Sequence, residues 1–175
     1  MMDDEYITQV LSGNTEAFRY FVKTYKDMAF NLAVSILKDE SIAEEIVQDS
    51  FMKAFRGLKS FNRTAKFKTW FYRIVVNESY QKLRKAKKDI AVVDIDSVHD
   101  IIHDRASEDR SQNSINIEHA ISLLPANEGL ALTLFYLEDN SLKEMGEITG
   151  WTLSNTKVIL HRARKSLRNK IEAKD

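Results

Sequence analysis

Two small all-α domains joined by a flexible acidic linker are what this 175-residue sequence predicts, and three observations carry the prediction. Glycine and proline are scarce, at five and one, whereas Ala, Leu, Lys, Glu and Ile are plentiful, a bias toward residues that lose little freedom in a helix. Apolar residues recur at spacings of three and four, the period of a helix with one buried face. Charge comes in blocks: residues 1–88 hold 16 Lys/Arg against 11 Asp/Glu, residues 89–114 hold 2 against 7, and residues 115–175 hold 8 of each. A basic block, an acidic joint and a mixed block divide the chain into a first domain (1–88), a linker (89–114) and a second domain (115–175).

Each element has its own signal. A short helix around Tyr6–Leu11 comes first. Asn14 is placed to cap the next, in which Phe18, Phe21, Val22, Tyr25, Ala29, Leu32, Ala33 and Ile36 form a buried stripe. Ser41-Ile-Ala-Glu44 has the form of a capping box, followed by Ile42, Ile46, Val47, Phe51, Ala54 and Phe55 on one side. Gly57 and the polar run after it break the pattern. A third long helix carries Phe67, Trp70, Phe71, Ile74, Val75 and Leu83 and ends in the basic run Arg84–Lys88. Between Asp89 and Asn113 neither helical nor alternating order persists, which reads as an extended tether. The second domain then holds four helices, near 115–124, 127–138, 141–149 and 153–172, with Pro125 between the first two. Ser141-Leu-Lys-Glu144 is another capping box, and Thr152 or Ser154 can cap the last helix. Gly129, inside the second of these helices, costs roughly 1 kcal/mol against Ala unless packing requires it.

Composition excludes several functional classes. With 43% hydrophobic residues and nine Phe the chain can bury real cores. No run of eighteen apolar residues exists, so no membrane insertion is expected. The acidic start, Met-Met-Asp-Asp-Glu-Tyr, is unlike a secretory signal. Zero cysteines exclude disulfides and thiolate zinc sites and fit a reducing cytoplasm. One metal-capable pattern exists, His99-Asp-Ile-Ile-His103-Asp, with histidines four apart and aspartates four apart. It sits in the weakest-folding stretch, and no phosphate loop or nucleophile motif accompanies it. No cofactor, no resident metal and no catalysis are expected.

The last third of the chain, Ser141 to Lys165, is a short helix, a turn centred on Gly150 and a second helix, the sequence form of a helix-turn-helix. From Leu153 to Lys170 there are six Lys/Arg and no Asp or Glu. Leu153, Thr156, Ile159 or Leu160 and Ala163 would face the core, leaving Asn155, Lys157, Val158, His161, Arg162 and Lys165 outward. Such a face offers Arg and Asn as base readers, with further cations for phosphates. The competing reading is a solvated basic face at a helix C-terminus. A second constellation, Phe61 to Asn77, mixes aromatics with Lys66, Lys68 and Arg73, a composition suited to single-stranded DNA. Most of those rings are expected in the core, with the polar members and preceding loop making contacts. On the helix from Ile42 to Leu58, Glu44, Glu45, Gln48, Asp49, Met52 and Lys53 form a mixed surface with an acidic beginning, either ordinary solvent-facing helix or a docking face for a basic partner.

Taken together, these segments resemble the extracytoplasmic-function (ECF) group of bacterial sigma factors. In the first domain the resemblance rests on Ala17-Phe18, on Ala43-Glu-Glu-Ile-Val-Gln-Asp-Ser-Phe-Met-Lys-Ala-Phe and on Phe67-Lys-Thr-Trp-Phe-Tyr-Arg-Ile-Val-Val-Asn. In the second it rests on Leu124-Pro125, Ser141-Leu-Lys-Glu-Met and His161-Arg-Ala-Arg-Lys. The resemblance implies a protein that binds core RNA polymerase, with the β′ clamp helices and the β subunit as partners, and directs it to promoter DNA. An independent helix-turn-helix regulator is the alternative. By the resemblance, Glu44, Glu45, Gln48, Asp49 and Phe51 would dock on the clamp helices. Asn62, Arg63, Lys66, Lys68, Arg73 and Asn77 would engage the melted −10 strand. Ser154, Asn155, Lys157, His161, Arg162 and Lys165 would read the −35 duplex. One family position often occupied by Arg or Lys is Ile159 here. The resemblance also implies an anti-sigma factor as a partner. It would route the acidic linker through the polymerase channel, where its charge would suit a cationic wall; a solvated spacer is the other reading.

Overall fold

A computed structural model describes residues 2–92 and 117–172, which form eight α-helices. The His99–Asp104 pattern and nearly all of the predicted tether lie outside the described residues. Among the described residues there is no cluster of His, Cys, Asp and Glu that could hold a metal, and no helix long and apolar enough to cross a membrane.

Helix α1 (Met2–Leu11) is pinned to α2 (Arg19–Leu37) through Asp3, whose carboxylate accepts from the phenols of Tyr20 at 3.0 Å and Tyr25 at 2.7 Å. Burial, reinforced by that carboxylate, pushes the Tyr25 phenol well above its ordinary range. Asn14 makes no side-chain cap; its amide donates to Gln9 Oε1 at 3.5 Å, and a 3-10 turn, Thr15–Phe18, leads into α2 instead. Helix α3 (Glu40–Gly57) begins two residues earlier than the Ser41 box predicts. Asp39, in extended backbone conformation, accepts from the Ile42 N–H at 2.9 Å, and Ser41 lies inside the first turn. Helix α4 (Phe67–Val92) runs past residue 88, so the start of the acidic stretch is helix rather than tether.

Phenylalanine rings fill the space between α2, α3 and α4. Phe21 meets Phe67 at 4.2 Å between centroids, Phe51 stacks on Phe71 at 4.4 Å, and Phe18 closes edge-on over Phe51 at 6.4 Å. Such pairs add about 0.5–1.5 kcal/mol each beyond the area they bury. Two stripe members fall at its margin: Val22 and Phe55 are 36% and 39% exposed.

The second bundle comprises α5 (Ile117–Ser122), α6 (Ala126–Leu132), α7 (Leu142–Thr149) and α8 (Leu153–Glu172). After α6 the chain widens into a π turn, Thr133–Leu137, closed by Asn140, whose main-chain N–H and side-chain amide both donate to the Leu134 carbonyl. Leu130, Leu132, Leu134, Met145, Ile148 and Leu160 form its core.

The two bundles pack on each other, α6 against α2 and α7 against α4, and their buried residues form one continuous cluster. Gly129 explains itself at this contact. A Cβ there would lie 2.9 Å from Lys38 Nζ and 3.1 Å from the Ser35 carbonyl oxygen, both belonging to the first bundle. Lys38, left-handed at φ 59°, ends α2 and donates from Nζ to the Ile121 carbonyl at 3.3 Å. Burial lowers its pKa to about 8.

Candidate nucleic-acid interface

The helix-turn-helix is built by four local devices. Ser141 and Glu144 close the capping box: the Glu144 N–H donates to Ser141 Oγ at 3.2 Å and the Ser141 N–H donates to Glu144 Oε2 at 2.9 Å. The Ser141 N–H, chiefly, holds the Glu144 carboxyl below its usual range. Gly150 ends α7 at φ 80°, a left-handed conformation that side chains disfavour. Gly146 serves by lacking a side chain, since a Cβ there would sit 2.8 Å from the Trp151 carbonyl oxygen. Thr152 then starts α8, its Oγ1 accepting from the Asn155 N–H at 3.2 Å.

With α8 so placed, Thr156, Ile159, Leu160 and Ala163 turn into the bundle. Leu153, expected there, is the first residue of α8 and is 54% exposed. Ser154, Asn155, Lys157, His161, Arg162 and Lys165 are all exposed. Among the described residues, none of the four cationic or imidazole side chains in that set makes an ion pair. Ile159 is only 8% exposed, so at this position even a cation would start from the buried side of the helix.

The second face is made by α4 and the loop before it. Asn62 shapes the loop by accepting from the Thr64 N–H at 3.1 Å and the Thr64 hydroxyl at 2.8 Å. Arg63 stands left-handed at φ 59°; its guanidinium reaches back to α1, donating to Thr8 Oγ1 at 3.4 Å and lying 3.9 Å from Asp4. Arg73 and Asn77, four residues apart, are exposed on one side of α4. Phe67, Phe71 and Tyr72 are buried, and Trp70 and Ile74 partly so, in keeping with their expected core role.

The lysines of this face are engaged. Lys68 Nζ lies 3.0 Å from Glu138 Oε2 and donates to the Glu138 carbonyl at 3.2 Å. Tyr72 donates to the same carboxylate at 2.7 Å, and burial, then that hydrogen bond, drives its phenol far above the ordinary range. The Glu138 side chain is 5% exposed. Lys66 pairs with Glu144 at 3.7 Å, far more loosely, with 80% of its side chain in solvent. Glu138 and Glu144 had no place in the sequence-derived site: nothing local marks them as partners of residues seventy positions away.

On α3, Glu44, Glu45, Gln48 and Asp49 are exposed, and Glu45 is paired with Lys82 at 3.4 Å. Phe51 corrects the expectation of a docking residue. It is 7% exposed, locked between Phe18 and Phe71, and unavailable to a partner. The apolar part of that surface is instead Met52, 52% exposed, and Phe55.

Comparison with known proteins matches residues 21–89 to sigma-70 region 2 and residues 114–167 to sigma-70 region 4. The chain is 30% identical to the ECF RNA polymerase sigma factor SigW of Bacillus subtilis, over 98% of this chain and 97% of that one. It is 28% identical to the ECF RNA polymerase sigma-E factor of Haemophilus influenzae, over 98% and 96%. Among solved structures, the sigma factor RpoE of Bartonella quintana, in complex with the anti-sigma factor NepR, is similar with a TM-score of 0.70 at 25% identity, over 89% of this chain and 96% of that one. CnrH, in complex with the cytosolic domain of CnrY, shares the fold with a TM-score of 0.69 at 21% identity, over 97% of each chain. With both sigma-70 regions in order and relatives matched over nearly their whole length, the chain belongs to the ECF sigma factors of the sigma-70 family, non-enzymatic proteins that bind RNA polymerase and direct promoter-specific transcription initiation.

Proposed function

We propose that this sigma factor divides its work among three faces, with residues 1–88 docking on polymerase and engaging the −10 strand, residues 115–175 reading the −35 duplex, and residues 89–114 joining them. The α8 face supplies the −35 reading. Ser154 and Asn155 at the helix start and Arg162 about two turns later suit base edges, while Lys157, His161 and Lys165 suit the phosphates beside them. The observation that carries this assignment is that all six side chains are exposed on a helix whose opposite face is core. Phosphate can therefore bind without any internal contact being broken.

For the −10 strand, Asn62, Arg63, Lys66, Lys68, Arg73 and Asn77 supply a cationic and amide surface along α4 and its loop, and a melted strand binds such surfaces through its backbone. Glu44, Glu45, Gln48 and Asp49, continuing into Met52 and Phe55, make an acidic and then apolar strip. That pattern suits the β′ clamp helices: charge sets the register and the apolar end supplies burial. The β subunit is the proposed partner of the second bundle. An anti-sigma factor is a further proposed partner, as RpoE of Bartonella quintana has in NepR. The proposed site of action is the cytoplasm, where polymerase and DNA meet.

Reconstituting the chain with core polymerase free of other sigma factors tests the division. Asp49→Ala is expected to weaken polymerase binding and leave binding to an isolated −35 duplex intact; Arg162→Ala is expected to do the opposite. The reverse pattern overturns the assignment.

A further inference from the structure

We propose that α1 is a brace for the −10 face: Asp4 and Thr8 hold the Arg63 guanidinium and so fix the tip of the loop that meets the melted strand. The proposal rests on assigning this loop to the strand.

Backbone conformation is the first observation. Arg63 stands at φ 59°, a region that glycine enters freely and a residue with a Cβ enters only against steric resistance. Glycine would make the turn without that resistance; what arginine adds is a guanidinium. That group lies on α1, with Nη2 donating to Thr8 Oγ1 at 3.4 Å and Nη1 3.9 Å from an Asp4 carboxylate oxygen.

The seating of α1 is the second observation. Ile7 and Val10 are buried, the Tyr6 ring stacks on that of Tyr20 at 3.9 Å between centroids, and Asp3 receives two phenols of α2. Asp4 and Thr8 lie four residues apart on the neighbouring side of the helix, both exposed, and the Thr8 hydroxyl donates to the Asp4 carbonyl at 2.8 Å. One side of α1 is set in the bundle, and the next presents side-chain oxygens to the loop. The loop itself is the third. Phe61 is held on α4, 4.9 Å from the Trp70 ring and edge-on to Phe67 at 6.2 Å, and Asn62 accepts from Thr64. Arg63, between them, carries the tip to a second helix.

An arginine has five N–H donors, so resting part of its fork on α1 leaves others for a phosphate. A loop anchored on two helices meets the strand already ordered, and binding does not have to order it. The brace also has a sign that separates it from plain electrostatics. A carboxylate beside a DNA face repels phosphate, so deleting Asp4 would strengthen strand binding if charge alone mattered. A brace requires the reverse.

Strand opening by holoenzyme, assembled from core polymerase and the full-length chain, tests the brace. The probe is a promoter that the wild-type holoenzyme selects from genomic DNA, with opening read by permanganate reactivity of its unpaired thymines. Asp4→Ala and Thr8→Val are each expected to reduce opening by about two- to fivefold, the size of an exposed polar pair. Thr8→Ser keeps the accepting oxygen and should open as wild type does. Melting temperature and core-polymerase affinity should hardly move, since both side chains are exposed and lie outside the docking strip. Opening that is unchanged or faster in Asp4→Ala overturns the brace. So does a Thr8→Ser as impaired as Thr8→Val, or a loss of opening matched by a loss of melting temperature. The strand assignment fails separately: wild-type opening by Arg63→Ala removes the loop from the −10 face, whereas an impaired Arg63→Ala beside an unimpaired Asp4→Ala removes only the part of α1.

Discussion

The two candidate DNA faces differ in readiness. On α8, Lys157, His161, Arg162 and Lys165 stand in solvent with no ion pair among the described residues; on α4 and its loop, Arg63 is held by α1 and Lys68 by a buried carboxylate. Duplex DNA presents its phosphates at all times, so a face that reads it gains nothing from being hidden. A melted strand exists only after polymerase has opened the promoter. A cationic surface left free beforehand would bind any single strand or phosphate, since that attraction is independent of sequence. In this structure Glu138 closely, and Glu144 more loosely, hold the two lysines of the second face.

The largest effect should come from reversing the charge at the buried ion pair between the two bundles. Glu138→Lys sets an ammonium group against Lys68 in a site that is nearly dry. Removing one member of a buried pair costs about 3–5 kcal/mol, and a like charge adds repulsion. The compact form should be lost, read as an expanded radius together with a thermal transition that splits or drops in temperature. Retention of a single unshifted transition would mean that Glu138 is solvated in solution and that the two faces do not differ as described.

Next in size is the free face. Arg162→Ala is expected to weaken duplex binding by about 1–3 kcal/mol while the melting temperature hardly moves, because the side chain is exposed and unpaired. If the contact is to phosphate alone, the loss is uniform across sequences and the salt dependence of binding becomes shallower by about one ion. A loss confined to particular promoter sequences identifies a base contact. Either outcome keeps α8 as the ready face, whereas a large drop in melting temperature would show that Arg162 is structural.

How far these faces could be read in advance depended on whether their causes were local. The Ser141–Glu144 box, the Gly150 turn and the outward set on α8 are consequences of neighbours in sequence, and periodicity locates them. The start of α3 was misplaced by two residues because Asp39 and Ser41 are both acceptable caps; the choice fell to Asp39, whose backbone is extended before the helix. The resemblance gives Phe51 a docking role although periodicity puts it in the apolar stripe, and ring packing against Phe71 keeps it there. Gly129 was visible as an anomaly, but its reason, α2, lies some ninety residues away. Glu138 is invisible altogether, since the first of two adjacent acids at the end of a helix looks solvated until the fold brings Lys68 and Tyr72 to it.

A smaller prediction concerns the support of the free face. Ser141→Ala removes the oxygen that accepts from the Glu144 N–H and should cost about 1 kcal/mol, seen as a lower melting temperature and faster amide exchange in α7. The same box gives a pH dependence with a definite sign. Since the Glu144 carboxyl is held below its ordinary value, its contribution is present above the unfolded pKa near 4.5 and is lost as pH falls through the depressed native one. Wild type should lose stability across that acidic window more steeply than Glu144→Gln, whose amide does not titrate. Parallel curves would show that the carboxylate is not engaged in solution.

Lys66 and Lys68 make the finest test, because they lie two residues apart and meet carboxylates of the same partner bundle. Lys66 reaches Glu144 across 3.7 Å with most of its side chain in water, a geometry worth no more than about 0.5 kcal/mol. Lys68 meets Glu138 at 3.0 Å in a nearly buried site. Lys66→Ala should therefore leave radius and melting temperature unchanged and reduce only promoter melting, with the deficit growing as salt is lowered because the missing contact is electrostatic. Lys68→Ala should alter compaction and promoter melting together. The compaction difference isolates burial, since both substitutions remove one positive charge and the two positions, one in the loop and one in the first turn of α4, are two residues apart.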